Sequence, residues 1–252
     1  MIPVSPHRKL YEYVVEEVGR RIVQGRYGSE ETLPNEDLLC RQFGVSRGVL
    51  REAAKVLTQK GLIRVRPKIG TQVQPQSHWN LFDQDVLQWK LETGRQGEFF
   101  KDVTEVRRVI ESEAARLTAL RADLDEIAAI ESSYWALADS LADETSYDYD
   151  AYLVYDMTFH TAIMEASHNA LLSQIGRTMR LAVQTARRMD VRDYRMQRDS
   201  LPFHAAIVEA LGSRRPESAY RASQELFDLV QRHPPGSDTT REGSMPRSTG
   251  GC

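Results

Sequence analysis

Two sets of residues in this chain have the types and the spacing to do chemistry. The first is Asp156 and His160, four apart in YDMTFHTAIMEASHN, with His204 further on in LPFHAAIVEAL. On a helix, a four-residue spacing puts carboxylate and imidazole on one face. A carboxylate and two imidazoles converging inside a helical bundle can hold a divalent cation. Spacing alone leaves another reading open, because an Asp–His pair four apart is also an ordinary hydrogen-bonded pair and two ligands do not define a site. The second set is basic. Between Arg41 and Lys68 lie eight Lys or Arg and one acid, Glu52, in a chain whose formal net charge is −3. Arg47, Arg51 and Lys55 recur at every fourth position, and Arg64, Arg66 and Lys68 follow in a β-prone stretch. Positive charge concentrated in this way is the footprint of a surface that meets DNA phosphates. Single members such as Lys55 or Lys60 are equally well read as solvated side chains.

The elements that would position the basic set are legible from Leu33 to Val73, LPNEDLLCRQFGVSRGVLREAAKVLTQKGLIRVRPKIGTQV. Asn35 can cap a helix whose first turn carries Glu36 and Asp37, acids suited to a positive helix end. Leu38, Leu39 and Phe43 supply its apolar stripe, and Gly44 suits a left-handed stop. Ser46 is then the cap of a second helix, with Val45 and Leu50 at the spacing of a hydrophobic staple. In that helix Leu50, Ala53 and Leu57 share one face while Arg47, Arg51 and Lys55 share the opposite one. Gly61 ends it. Two short strand-like runs, 62–66 and 70–74, flank the turn Pro67-Lys68-Ile69-Gly70. One buried face, one arginine face and a basic hairpin fit a recognition helix in a major groove beside a wing on the backbone.

Charge divides along the chain. Residues 1–76 hold 13 basic and 8 acidic side chains, whereas residues 77–252 hold 20 and 28. A basic reader joined to an acidic remainder implies that only the first part meets DNA. The polar, proline-bearing stretch 72–77 marks the boundary. Beyond it the expected helices are 80–93, 99–121, 123–142, 147–167, 170–195, 198–211 and 216–231, an all-helical bundle spanning 77–233. Residues 234–252 are Pro, Gly, Ser, Thr and charge and read as a disordered tail. Cys40 and Cys252 are too few for a disulfide framework, which points to a reducing compartment. No apolar run approaches the length of a membrane span, so the expected location is the cytoplasm.

Residues 10–74 resemble the winged helix-turn-helix domain of GntR-family transcription regulators. The carrying residues are Leu33-Pro34, Glu36, Val45-Ser46-Arg47, Leu50 to Ala53, Gly61 to Ile63 and the Gly70-Thr71…Val73 of the hairpin. The resemblance implies DNA contacts by Ser46, Arg47 and Arg51 and by the wing, here Arg66 and Lys68. It also exposes a departure: many members place a DNA-contacting Arg directly after the Glu, where this chain has Asp37. Residues 78–231 resemble the FCD ligand-binding domain of the FadR-type branch, through EVRRVIESEAARL at Glu105 to Leu117, DMTFHTAIMEASHN at Asp156 to Asn169, and FHAAI at Phe203 to Ile207. By that resemblance Asp156, His160 and His204 match three metal ligands, and Leu226 stands where a fourth, a His, normally falls. The coordination left open would go to water or to an effector.

Arg107 matches the family's Arg at the start of the EVR segment, and an Arg facing a bundle cavity is suited to bidentate carboxylate recognition. An ion pair with Glu111 on the same helix accounts for it equally well. Asn169 matches a family Asn and would contact effector or cap the helix beginning at Ala170. The junction from His78 to Trp89 resembles that of an aldonate-responsive subgroup, and Trp79 and Trp89 read as packing between the two parts.

The expectation is therefore a mainly α protein: a winged helix-turn-helix followed by an FCD-like bundle, acting as a homodimeric, non-enzymatic repressor on a palindromic double-stranded DNA operator. A small organic acid, an aldonate such as galactonate, would release it from a pocket holding zinc, or else nickel or manganese. Two other readings stand beside this one. One is a metal-free regulator answering to a lipid or acyl-CoA. The other is a helical metal-dependent hydrolase, disfavoured because no general base, nucleophile or Gly-rich phosphate loop accompanies the Asp/His set.

Overall fold

A computed structural model describes residues 6–93, 96–188 and 194–232. Expectations for the segment 234–252 lie outside the described residues. The first helix, α1 (Pro6–Val23), precedes the basic region. It was not anticipated from the sequence, although Val14, Val15, Val18 and Ile22 recur with helical period and are all buried. Against it pack α2 (Glu36–Phe43) and α3 (Arg47–Gln59). The local chemistry matches the sequence reading. The Asn35 side chain accepts from the backbone of Leu38, Gly44 takes φ +65°, and the Ser46 side chain accepts from the backbone of Val49. The hairpin follows as β1 (Ile63–Arg66) antiparallel to β2 (Gly70–Val73), with Ile63 opposite Val73 and Arg66 opposite Gly70.

After one 3-10 turn at Gln76–His78 the chain enters α4 (Gln84–Leu91). The expected helix over 80–93 starts later because Asp83 takes the cap: its carboxylate accepts from the backbone of Asp85 and Val86. This short helix serves two cores. Val86 and Trp89 are buried among α1, α3 and the hairpin, whereas Leu87 and Leu91 belong to the core of the bundle. Gly19 on α1 makes room for Trp89; a Cβ there would collide with the indole ring.

The bundle proper is α5 (Gln96–Arg121), α6 (Leu124–Ser140), α7 (Tyr149–Ala166), α8 (Ala170–Arg188), α9 (Tyr194–Gly212) and α10 (Pro216–Arg232). A capping box formed by Asp123 and Glu126 starts α6, and Asp148 caps α7. Helix α5 runs through the middle, packed on α7, α8, α9 and α10. Helix α7 is buried on several sides, with Tyr152, Phe159 and Ile163 almost wholly enclosed. Its polar residues Asp156 and His160 are enclosed with them. Buried polar groups of this kind need partners, and their partners define the site.

Candidate functional site: a DNA-reading face and a buried Asp–His–His cluster

The arginines of α3 stand on the side opposite its buried Leu50, Ala53 and Leu57. Arg47 and Arg51 are exposed, and each is engaged by an acid from the first turn of α2. Arg47 donates through Nε and Nη2 to Asp37 Oδ1 at 3.0 and 2.7 Å. Arg51 donates through Nε and Nη2 to the two Glu36 oxygens at 3.3 and 3.4 Å. Between α3 and the hairpin runs an open groove of about 940 Å³, lined by Glu36, Arg51, Lys55, Arg66 and Lys68 among others. Lys68 sits at the hairpin tip with φ +67°, exposed like Arg66. Ser46 spends its hydroxyl on the α3 cap. Arg51, Arg66 and Lys68 thus line one groove of the first domain, with Arg47 exposed on the same helix as Arg51 and Ser46 at that helix's start.

Lys60 departs from both of its sequence readings. It is neither solvated nor free for phosphate: its Nζ bonds Asp83 Oδ1 and Asp85 Oδ2, each at 2.7 Å, with its side chain 9% exposed. The end of α3 is thereby tied to the start of α4, and the backbone of Asn80 donates to the carbonyl of Lys60. Burial opposes the charge on Lys60, but the bonds to Asp83 and Asp85 prevail and its pKa is raised.

In the bundle, Asp156 and His160 on α7 meet His204 on α9. Their ligand-type atoms lie within 4.8 Å of one another. His204 Nε2 is 3.5 Å and His160 Nε2 3.7 Å from Asp156 Oδ1. The opposite nitrogens are held. His204 Nδ1 lies 2.9 Å from the carbonyl of Ser200, and His160 Nδ1 lies 2.7 Å from Glu111 Oε2. A carbonyl and an ionised carboxylate can only accept, so each Nδ1 donates its proton outward and each ring presents its Nε2 to Asp156. His204 Nε2 is fully buried and makes no hydrogen bond. Tyr152 donates to Asp156 Oδ1 from 3.2 Å. Rings held through one nitrogen with the other aimed at a shared carboxylate are the arrangement in which outer partners orient metal ligands.

Glu111, on α5, was read from the sequence only as a partner for Arg107. It binds both neighbours: Arg107 Nε at 2.5 Å on one oxygen and His160 Nδ1 at 2.7 Å on the other. Burial alone would push its carboxyl up; the charges of Arg107 and His160 overcome that and hold it at about 2. Arg107 is buried, with its guanidinium 5.0 Å from the centre of the Phe227 ring. It lines two cavities of about 10 Å³ each, one with Ser173, Gly176, Arg177 and Arg180, the other with Asp156, His204 and Leu226. Each has room for roughly one water. Leu226 is buried beside the cluster and supplies no ligand atom there. Asn169 is not brought to the cavities: its side chain accepts from the backbone of Leu171 and Leu172 and caps α8.

Comparison with known proteins agrees with this architecture. Residues 10–73 match the bacterial regulatory proteins of the gntR family, and residues 102–229 match the FCD domain. The galactonate operon transcriptional repressor of Escherichia coli K12 is 36% identical over 64% of this chain and 69% of its own length. YieP, an uncharacterised HTH-type transcriptional regulator of the same organism, is 30% identical over 89% of this chain and 95% of its own length. Among solved structures, Lar of Listeria monocytogenes superposes with a TM-score of 0.56 at 16% identity, covering 91% of this chain and 96% of that one, which speaks for the fold. No described helix is long and apolar enough to cross a membrane. The winged domain and the helical domain are each matched by a family model, and this chain is a DNA-binding transcription regulator of the GntR family with an FCD domain.

Proposed function

We propose that the chain is a homodimeric repressor of sugar-acid catabolism genes, released from a palindromic operator when a hydroxy acid binds at a metal held by Asp156, His160 and His204. The observation that carries the metal is the His204 Nε2 atom, buried and without a hydrogen bond, 3.5 Å from a carboxylate oxygen. Such an atom is costly to leave unpaired, and a cation among the three ligands satisfies it. Nitrogen and oxygen donors suit zinc first, then nickel or manganese. When bound, the ion supplies a Lewis-acidic position for a carboxylate and its neighbouring hydroxyl.

The chain's own residues favour an acid as effector. Arg107 reaches both cavities, and Arg177 and Arg180 line one of them. An acyl chain would find this lining poorly matched. The galactonate repressor among the relatives points to an aldonate as the first candidate. Each cavity has room for about one water, so a six-carbon acid enters only if the helices around Arg107 part. That requirement ties binding to a change of shape, and by linkage an effector that favours the opened form lowers DNA affinity by the factor by which DNA lowers its own. Ser46, Arg47, Arg51, Arg66 and Lys68 form the DNA-contacting set. Residues 1–76 act as reader and 77–233 as sensor. Two copies on a two-fold site follow from one winged helix covering one half-site.

The test is a titration of the protein, bound to a duplex selected from a random pool, with galactonate, other aldonates, uronates, short hydroxy acids and acyl-CoA, each with and without zinc. Release by an aldonate only in the presence of metal is the expected result. Release by acyl-CoA alone, indifferent to chelator, would replace this reading with a lipid sensor.

A further inference from the structure

Asp37 lies where the family resemblance implied a DNA-contacting arginine, and its carboxylate is committed instead to Arg47. The geometry is side-on. Nε and one Nη2 hydrogen of Arg47 go to Asp37 Oδ1 at 3.0 and 2.7 Å. The far edge of the guanidinium, formed by Nη1 and the second Nη2 hydrogen, takes no part in that pair. That edge can make two parallel hydrogen bonds to O6 and N7 of a guanine in the major groove. The two side chains are 63% and 55% exposed. An ion pair so exposed adds little to folding. Its value lies in what it does to the arginine.

Two effects follow from a carboxylate at this place. It restricts a long side chain that would otherwise sample many rotamers, so less entropy is lost when the arginine meets a base. It also sets a negative charge on the face that approaches phosphates, which raises the energy of any register in which Arg47 would leave Asp37 for the DNA backbone. Both effects grow when DNA displaces water and the local dielectric falls. Arg51 has a similar partner in Glu36, at the longer distances of 3.3 and 3.4 Å.

We propose that Asp37 is a specificity-determining residue that orients Arg47 edge-on towards a guanine and disfavours sequence-independent binding. The proposal rests on the assignment of α3 as the recognition helix, and the experiment separates the two. Full-length wild type, Asp37→Asn, Asp37→Glu and Arg47→Ala are each put through selection from a random duplex pool, followed by affinity measurements on the selected site, its single-base variants and a mixed-sequence duplex at fixed salt. Wild type is expected to select a half-site with one guanine that Arg47→Ala no longer requires. Asp37→Asn should reduce discrimination at that same base pair by roughly tenfold, bind the mixed duplex several-fold more tightly, and melt at the wild-type temperature. Asp37→Glu should recover part of the discrimination. If Asp37→Asn keeps the full guanine preference, or loses preference evenly at all positions, the orienting role is wrong. If Arg47→Ala selects the wild-type site with undiminished affinity, the recognition-helix assignment itself falls.

Discussion

The reading head and the sensor domain use the same pair of groups, an arginine and a carboxylate, to opposite ends. Arg47–Asp37 is 63% and 55% exposed; Arg107–Glu111 is 5% and 7% exposed. In water the first pair adds little to folding, so what it changes is the posture of the arginine rather than the stability of the domain. The second has been taken out of water, and each member depends on the other for compensation. Burial, rather than residue type, decides whether an ion pair is a surface for contact or part of the frame. Lys60 with Asp83 and Asp85 lies between these limits, with its own side chain buried and its partners half out. It ties α3 to α4, the helix shared by both cores.

The contrast can be broken most sharply at Glu111. Glu111→Ala strands a buried arginine and removes the acceptor of His160, and should cost about 3–5 kcal/mol in urea unfolding. A loss under 1 kcal/mol would mean that water already reaches the pair. Next comes the cation. At a hundredfold excess over its dissociation constant, zinc should stabilise the wild type by about 2.7 kcal/mol. His204→Ala and Asp156→Asn should abolish that gain in thermal melts; equal gains in wild type and variants would remove these residues from the site.

Lys60→Met should cost about 1–2 kcal/mol, less than the Glu111 change because Asp83 and Asp85 keep access to water. It should also weaken the dependence of DNA affinity on effector, since the joint between α3 and α4 is loosened. Unaltered stability together with unaltered effector response would show the joint to be held by Trp89 and Val86 alone. At the small end, Arg51→Ala should shift stability by less than about 0.5 kcal/mol while costing DNA affinity about 1–3 kcal/mol. Here the exposed pair shows its character: almost nothing to the fold, a large share to function. A destabilisation comparable to that of Glu111→Ala would erase the distinction between the two regions.

Local chemistry was the legible part. Asn35, Gly44, Ser46 and the turn from Pro67 to Gly70 specify helix ends and a hairpin through bonds within a few residues, so reading them needs no partner. The same holds for Asp156 and His160 sharing a face of α7, and for Asn169 as a cap. Misreadings began where a residue's partner is remote. Asp83 caps α4 through local bonds, but its side chain also meets Lys60, 23 residues earlier. Lys60 looked like one more surface cation because nothing near it in the chain announces its burial.

The sequence by itself determined the order of elements, the basic reader ahead of an acidic helical part, and the identity of the arginines and of the Asp–His–His set, since periodicity, caps and charge are properties of neighbouring residues. Only the tertiary structure decided which acceptor holds each imidazole, that Glu111 joins Arg107 to His160, that Asp37 holds Arg47, and that α4 belongs to both cores. Those outcomes depend on groups brought together from different helices and on the water removed between them. Desolvation, which sets the strength of every polar contact in the site, does not exist until the helices have packed.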